Sequence, residues 1–156
     1  MRPEYPRPIQ VVLADDDVDD RALFSQALTE AKIPSKLVTV ENGVKLTDYL
    51  ANIQDPPPPD IIFLDINMPL KNGKICLKEI RSNKKFNNVP IVMFSTSSHP
   101  LDIEETYLHG ANKYISKSVF FEDEVTVFKT IFSPGWQRSL HAPAKENFVL
   151  QAEDLL

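Results

Sequence analysis

The chain has 156 residues, with 17 Lys and Arg against 22 Asp and Glu, so its formal charge is −5. This length predicts one domain with a tail, and the acidic balance argues against non-specific nucleic-acid binding. The single cysteine, Cys76, excludes an intramolecular disulfide framework and a Cys-rich zinc site. The sequence has four glycines and no GxGxxG or GxxxxGK[ST] string, which leaves little room for a glycine-rich phosphate loop.

The start of the chain, MRPEYPRPIQ, is rich in proline and lacks the apolar core of a signal peptide. Residues 1–7 are therefore predicted to be an N-terminal arm without regular structure. No apolar run approaches the roughly 20 residues that a membrane span needs. We expect a cytoplasmic protein that makes no membrane contact.

Short β-forming runs alternate with segments of helical periodicity between residues 8 and 133. The predicted strands are Ile9–Ala14, Ser35–Val40, Asp60–Asp65, Pro90–Ser95 and Lys113–Ser116. The predicted helices follow them and begin near Val18, Val44, Ile75, Leu101 and Phe120. Continuous apolar runs are typical of strands that are buried on both faces of a parallel sheet. The alternation predicts an α/β fold with a doubly wound parallel sheet.

Polar side chains follow four of the five predicted strands. In open α/β sheets, ligands bind outside the carboxyl ends of the strands. At those ends the sequence places Asp15 and Asp16 after the first strand, Asp65 at the third, Ser95 and then Thr96 at the fourth, and Lys117 after the fifth. These side chains are expected to converge on one crevice.

This set of side chains is suited to phosphoryl transfer. Three neighbouring carboxylates repel one another, and a hard divalent cation such as Mg²⁺ relieves that repulsion. A lysine and a hydroxyl can bind anionic oxygens, and an aspartate can act as a nucleophile that forms an aspartyl-phosphate. The metal and the lysine together neutralise charge on the transferring group.

The chain resembles a response-regulator receiver domain (CheY-like) over residues 8–133. The strings that carry the resemblance are VVLADDDVDD, FLDINMPLKNG, VMFSTSS and YISKS, in this order. The first two look most like the stand-alone receivers that serve phytochrome-type and related hybrid histidine kinases. The resemblance implies a flavodoxin-like (βα)5 sandwich of three layers, with a five-stranded sheet in the order 2-1-3-4-5.

The resemblance also implies roles for individual residues. Asp65 matches the phosphoacceptor, and Asp15 and Asp16 match the acidic pair that holds Mg²⁺ with it. Asn67 would offer its backbone carbonyl to the metal. Lys117 matches the conserved lysine, and Tyr114 matches the aromatic switch position.

The chain departs from the family pattern at two positions of the site. The family's hydroxyl is usually Thr; here Ser95 takes that position and Thr96 follows it, so either could bind the phosphoryl group, and we favour Ser95. A proline normally follows the lysine, whereas Ser118 does so here. A cis bond before a residue other than proline costs about 2.5–4 kcal/mol, which favours a trans peptide at this point.

The resemblance implies a single-domain response regulator of a phosphorelay. It would accept a phosphoryl group from a histidine kinase, a hybrid kinase or a phosphotransfer protein, and would catalyse only its own phosphorylation and dephosphorylation. The 23 residues after position 133 are too few for a DNA-binding module. Output is therefore expected through protein contacts, which include a homodimer through the fourth helix, fifth strand and fifth helix or through the tail.

Three other functions remain open at this point. A degenerate receiver would bind partners without phosphorylation. A phosphatase of the haloacid-dehalogenase type also uses an aspartate nucleophile, but Asp65-Ile66-Asn67 departs from its DxD motif and no cap domain is present. A flavodoxin-type cofactor binder would need phosphate-binding loops where this chain has acids.

In the tail, residues 134–156, the string KENFVLQAEDLL is expected to form a short amphipathic helix with Phe148, Val149 and Leu155 on its apolar side.

Overall fold

The computed structural model describes residues 7–53, 58–141 and 145–150, and its strands and helices alternate in the predicted order. The strands are β1 (Ile9–Ala14), β2 (Ser35–Val40), β3 (Ile61–Leu64), β4 (Ile91–Ser95), β5 (Lys113–Ser116) and β6 (Val149–Leu150). The α-helices are α1 (Val18–Glu30), α2 (Gly43–Ala51), α3 (Gly73–Ser82), α4 (Pro100–Leu108), α5 (Phe121–Ile131) and α6 (Trp136–His141). Short 3₁₀ turns cover Lys84–Phe86 and Lys145–Asn147.

The sheet has the order β2-β1-β3-β4-β5-β6, and each pair of neighbouring strands is parallel. The predicted order of the first five strands is confirmed. The predicted number of strands, five, is too low, because β6 adds a sixth strand beside β5. A run of two paired residues is too short to show the period of two that marks a strand in a sequence.

The alternation of side chains along β1 explains the layers. Val11 and Leu13 belong to a buried cluster with residues of α1 and α5 on one face of the sheet. Val12 and Ala14 belong to a second buried cluster with residues of α2 and α3 on the other face. Because successive side chains of a strand point to opposite faces, both sides of the central strands are covered. This explains the continuous apolar runs.

The C-terminal tail differs from its prediction. The amphipathic helix expected at Phe148 and Val149 is wrong, because a 3₁₀ turn at Lys145–Asn147 is followed by β6, and the α-helix described in the tail is α6. Trp136 of α6 packs edge-on against Phe132 at a centroid distance of 5.2 Å. Residues 151–156, including Leu155, lie outside the described residues, as do residues 1–6 of the predicted arm.

The surface formed by α4, β5 and α5, which the sequence suggested as an output or dimer surface, is partly covered by this tail. Strand β6 pairs with β5, and Lys145 forms an ion pair with Glu104 of α4 at 2.9 Å. The side chain of Asn112 donates to the carbonyl of Leu140 in α6. Within the described ranges, no helix has the length and apolar character to cross a membrane.

Gly73 allows α3 to begin directly against the end of β3. Its amide donates to the carbonyl of Ile66 at 2.8 Å, and a Cβ at this position would lie 2.0 Å from the backbone oxygen of Asp65. Because that oxygen belongs to the backbone, it cannot turn away as a flexible side chain would.

We therefore expect Gly73→Ala to lower the free energy of unfolding by about 1–3 kcal/mol, as overpacking does in other cores, despite alanine's better helix propensity. Urea unfolding measures the change. The control is Lys78→Ala, at an exposed position of the same helix, which should change stability by less than about 0.5 kcal/mol. Equal stability of Gly73→Ala and the unmodified chain would contradict the expected clash.

Candidate functional site

Three of the predicted carboxylates meet at the carboxyl ends of β1 and β3. The two strands are neighbours, and the amide of Asp65 donates to the carbonyl of Ala14 at 3.0 Å. One oxygen from each of Asp15, Asp16 and Asp65 lies within 4.8 Å of the others. Asp15 and Asp65 are buried and Asp16 is exposed. The sheet thus brings together side chains that are 50 residues apart in the sequence.

Lys117 extends from the end of β5 into this cluster. Its Nζ lies 2.6 Å from Asp15 Oδ2 and 3.5 Å from Asp65 Oδ2. The Lys117 amide donates to the Ser95 carbonyl at 2.8 Å, which fixes the backbone from which the side chain extends. The ammonium also lies 5.4 Å from the centre of the Phe94 ring, within range of a cation–π contact. The predicted convergence of Lys117 with the acids is present in the structure.

Burial controls the protonation of the carboxylates. It raises the pKa of Asp65 to about 6, although the charge of Lys117 opposes this rise and that of Asp15 adds to it. The pKa of Asp15 is also raised by burial, against the hydrogen bond from Lys117. Burial would lower the pKa of Lys117, but its hydrogen bonds to Asp15 and Asp20 outweigh that effect and raise it. The lysine therefore remains a cation at pH 7, whereas Asp65 is only partly protonated.

The acidic block at residues 15–20 divides into different local roles. Asp17 is the N-cap of α1, and its carboxylate accepts from the amides of Asp19 and Asp20, as short polar side chains do at helix starts. Asp20 Oδ2 lies 2.9 Å from Lys117 Nζ. The sequence does not predict this contact, because no local pattern indicates a pair of residues 97 positions apart.

The two candidate hydroxyls occupy different environments. Ser95 ends β4 and is fully buried, whereas Thr96 is exposed. The Ser95 hydroxyl accepts from the amide of Ser97 at 3.2 Å, and the carbonyl of Ser97 accepts from the Tyr114 hydroxyl at 2.8 Å. Tyr114 is fully buried. Ser97, for which the sequence predicts no role, thus connects Ser95 and Tyr114.

Two positions around the site belong to loops. Asn67 is exposed in the loop between β3 and α3, and the role of its carbonyl stays a prediction. Ser118, in place of the usual proline, donates from its hydroxyl to Asp123 and accepts from the amide of Phe120. These two bonds hold the loop between β5 and α5.

The donor atoms of the acidic cluster fit a hard divalent cation. They are carboxylate oxygens from two adjacent strand ends, close enough to share one ion, and oxygen ligands are those that Mg²⁺ prefers. A single ammonium cannot balance Asp15, Asp16, Asp20 and Asp65 together. The arrangement is an acidic crevice that suits a cation, and its lysine contacts Asp15, Asp20 and Asp65.

An α/β sheet of this order with such a crevice defines a class of signalling domain, and comparison with known proteins gives the same family. Residues 11–128 match the model of the response regulator receiver domain. The chain is 28% identical to the response regulator Rcp1 of Synechocystis sp. strain PCC 6803, over 92% of this chain and 99% of Rcp1.

Solved structures agree. The phosphorylated cyanobacterial phytochrome response regulator RcpA superimposes with a TM-score of 0.74 and 32% identity, over 83% of this chain and 94% of RcpA. The Mn²⁺-bound form of Rcp1 gives a TM-score of 0.73 and 28% identity, over 88% and 100% of the two chains. The chain therefore belongs to the response-regulator receiver family, as its sequence motifs indicated, and it is similar to phytochrome response regulators.

Glu124, a half-buried residue of α5, lies near the crevice. Glu124 Oε1 and the Ser116 hydroxyl are buried without a hydrogen-bond partner among the described residues, and both line one small cavity. Burial raises the pKa of Glu124 to about 7, and the charge of Asp20 adds to this rise. Because the folded state binds this proton more tightly than the unfolded state, the stabilisation is complete below about pH 4.5 and is lost as the pH rises through 7.

Glu124→Gln removes this titration. We expect the variant to gain stability relative to the unmodified chain between pH 5 and pH 8, by about 1–3 kcal/mol. Urea unfolding at several pH values gives the difference in the free energy of unfolding between the variant and the unmodified chain. The change of that difference with pH is the result, so any effect that is independent of pH cancels. Glu122→Gln makes the same change at an exposed position of the same helix and is the matched control. If the stability of Glu124→Gln and that of the unmodified chain change with pH in parallel, the pKa of Glu124 is not raised.

Proposed function

We propose that this chain is a phosphoacceptor of a two-component phosphorelay. A phosphohistidine of a histidine kinase, a hybrid kinase or a phosphotransfer protein donates its phosphoryl group to Asp65 in a Mg²⁺-dependent step. The signal then passes on by contact with another protein. Receiver domains are signalling domains and not enzymes that turn over a separate substrate.

One observation carries this proposal above the alternatives. Asp65 shares an acidic cluster with Asp15 and Asp16, and Lys117 lies 3.5 Å from its carboxylate. A degenerate receiver has no need of this combination, in which a nucleophile, a cation site and an anion-binding ammonium meet at one strand end. With a pKa of about 6, the Asp65 carboxylate is mostly ionised at pH 7 and is available as a nucleophile.

The phosphoryl group moves from the donor's imidazole to the Asp65 carboxylate. An oxygen of the Asp65 carboxylate forms a bond to phosphorus as the bond from phosphorus to the donor's imidazole nitrogen breaks, and that nitrogen takes the electron pair. Lys117 pairs with an oxygen of the phosphoryl group, and the Ser95 hydroxyl donates to another. Ser95 is favoured over Thr96 because it is buried at the end of the strand beside that of Asp65.

The carboxylates of Asp15, Asp16 and Asp65, with the backbone carbonyl of Asn67, would hold the Mg²⁺ ion. When bound, the ion neutralises charge that develops on the phosphoryl oxygens. Lys117 contacts Asp15 and Asp20 and lies 3.5 Å from the Asp65 carboxylate. Its ammonium is therefore within reach of a phosphoryl group carried by Asp65.

The decisive experiment is phosphorylation by a small donor. Incubation with acetyl phosphate and Mg²⁺ should add one phosphoryl group to the intact chain, as measured by mass spectrometry, and Asp65→Asn should abolish the addition because it removes the nucleophile. Asp60→Asn is the matched control, since Asp60 precedes the same strand at its opposite end, where it pairs with Arg7. Labelling of Asp65→Asn at the unmodified level would overturn the assignment.

Asp20 offers a second test, directed at the cation. Asp20→Asn removes a negative charge beside the crevice and leaves Lys117 to Asp15 and Asp65, where it competes with the metal. We expect Mg²⁺ affinity to fall by about threefold or more, the order of a partly exposed ion pair, in isothermal titration calorimetry. Asp19→Asn makes the same charge change in the same helical turn without a lysine contact and should have a smaller effect. Equal effects of the two variants would contradict a specific role for Asp20.

A further inference from the structure

Strand β6 closes the outer edge of β5 through backbone contacts. We call residues 145–150 the strap segment. The amide of Tyr114 donates to the carbonyl of Phe148 at 2.9 Å, and Tyr114 pairs in register with Val149. Lys113 Nζ donates to the carbonyl of Asn147. The strap segment therefore satisfies polar groups of β5 that an edge strand would leave unpaired.

The side chain of Phe148 covers Tyr114, the predicted switch residue. Phe148 is only 1% exposed, and its ring contacts two tyrosines. It packs edge-on against Tyr107 of α4 at a centroid distance of 5.1 Å and lies 6.2 Å from the Tyr114 ring. Tyr114 is 0% exposed beneath it. Because cores are close-packed, Tyr114 cannot turn towards solvent past β6 unless Phe148 moves.

Tyr114 in turn holds the loop that follows Ser95. Its hydroxyl donates to the Ser97 carbonyl at 2.8 Å, and the Ser97 amide donates to the Ser95 hydroxyl oxygen at 3.2 Å. Burial raises the pKa of Tyr114, while interactions with the Ser97 and Ser95 side chains oppose that rise. Unbroken contacts thus connect Phe148 in the tail to the hydroxyl at the end of β4.

The same loop is anchored from its other side. The Ser97 hydroxyl donates to Asp102 of α4, and Asp102 forms an ion pair with Lys74 of α3 at 2.6 Å. The position of Ser97 is therefore set by two opposing supports, the ion pair on α3 and α4 and the tyrosine under the strap segment. Loss of either support should loosen the hydroxyl of Ser95.

We propose that the strap segment positions Ser95 for phosphoryl binding, with Phe148 acting through Tyr114 and Ser97. Because coupling between two sites is reciprocal, a phosphoryl group bound at Asp65 and Ser95 in turn tightens the strap segment on β5. Phe148 is a positioning residue in this scheme and touches no reacting atom. The inference rests on the proposed phosphoacceptor function and adds to it a link between the acidic crevice and the C-terminal tail.

The first measurement requires no phosphodonor. In Phe148→Ala, exchange of the Tyr114 amide hydrogen, followed by NMR, should accelerate by about tenfold or more, because the carbonyl that accepts from it is released. Lys145→Ala is the control: it lies in the same segment, is largely exposed and pairs with Glu104. Its Tyr114 amide should exchange nearly as in the unmodified chain. Phe148→Leu keeps most of the apolar volume and should give an intermediate rate, which tests the inference should the alanine variant unfold.

The second measurement is the affinity for beryllofluoride, a mimic of the phosphoryl group, in the presence of Mg²⁺. Phe148→Ala should bind it about fivefold more weakly, at the lower end of common coupling strengths, with unchanged affinity for Mg²⁺ alone. Beryllofluoride should slow Tyr114 amide exchange in the unmodified chain by a similar factor. In a Tyr114→Phe background, which lacks the hydroxyl, Phe148→Ala should have a smaller effect on affinity, because the two residues act through one contact.

The outcomes separate the two proposals. If the unmodified chain binds no beryllofluoride, the phosphoacceptor function fails and the link falls with it. If the unmodified chain binds it and Phe148→Ala binds it equally well, although the Tyr114 amide exchanges fast, the strap segment only covers an edge and the link is overturned.

Discussion

The fold brings several carboxylates around a single ammonium, and the rest of the site depends on this balance. Lys117 Nζ is within 3.5 Å of Asp15, Asp20 and Asp65. Without it, the negative charges would repel one another in a poorly solvated crevice. The balance is incomplete, because Asp16 also belongs to the cluster. The remaining negative charge makes the crevice receptive to a cation, and the lysine makes it receptive to an anion once that cation is bound.

The same balance explains features of the surrounding backbone. Asp17 caps α1, so that the helix begins immediately after the acidic pair and presents Asp20 to the lysine one turn later. Gly73 lets α3 begin against the carbonyl of Asp65, which holds the end of β3 in place. The Lys117 amide is bound by the carbonyl of Ser95. Each of these features fixes the backbone at a strand end. A shift of about 1 Å there would separate Lys117 from the carboxylates.

The tail packs against Tyr114 and β5. In a receiver whose sheet ends at β5, the edge of that strand is free to meet a partner, whereas here β6 pairs with it. Phe148 and Tyr107 enclose Tyr114 on the side away from the crevice. Packed residues thus join the crevice to the tail, and the chain's own C-terminal residues cover part of the surface formed by α4, β5 and α5.

The sequence by itself determined the order of strands and helices, because continuous apolar runs and helical periodicity are local properties of the chain. It also placed Asp15, Asp16, Asp65 and Lys117 at one edge, because parallel strands end at the same side of a sheet. The resemblance to receivers supplied the strand order and the expected roles. These parts needed only local patterns and the topology of the fold.

The tertiary structure alone decided the contacts that join distant segments through side chains. The pairing of Asp20 with Lys117 depends on how far two side chains reach across the crevice. The burial of Ser95 beside an exposed Thr96 depends on where β4 ends. Strand β6 forms because the edge of β5 offers it hydrogen-bond partners, and two paired residues show no period of their own. The sequence therefore predicts which chemistry gathers at the crevice, and packing decides which neighbours hold it in position.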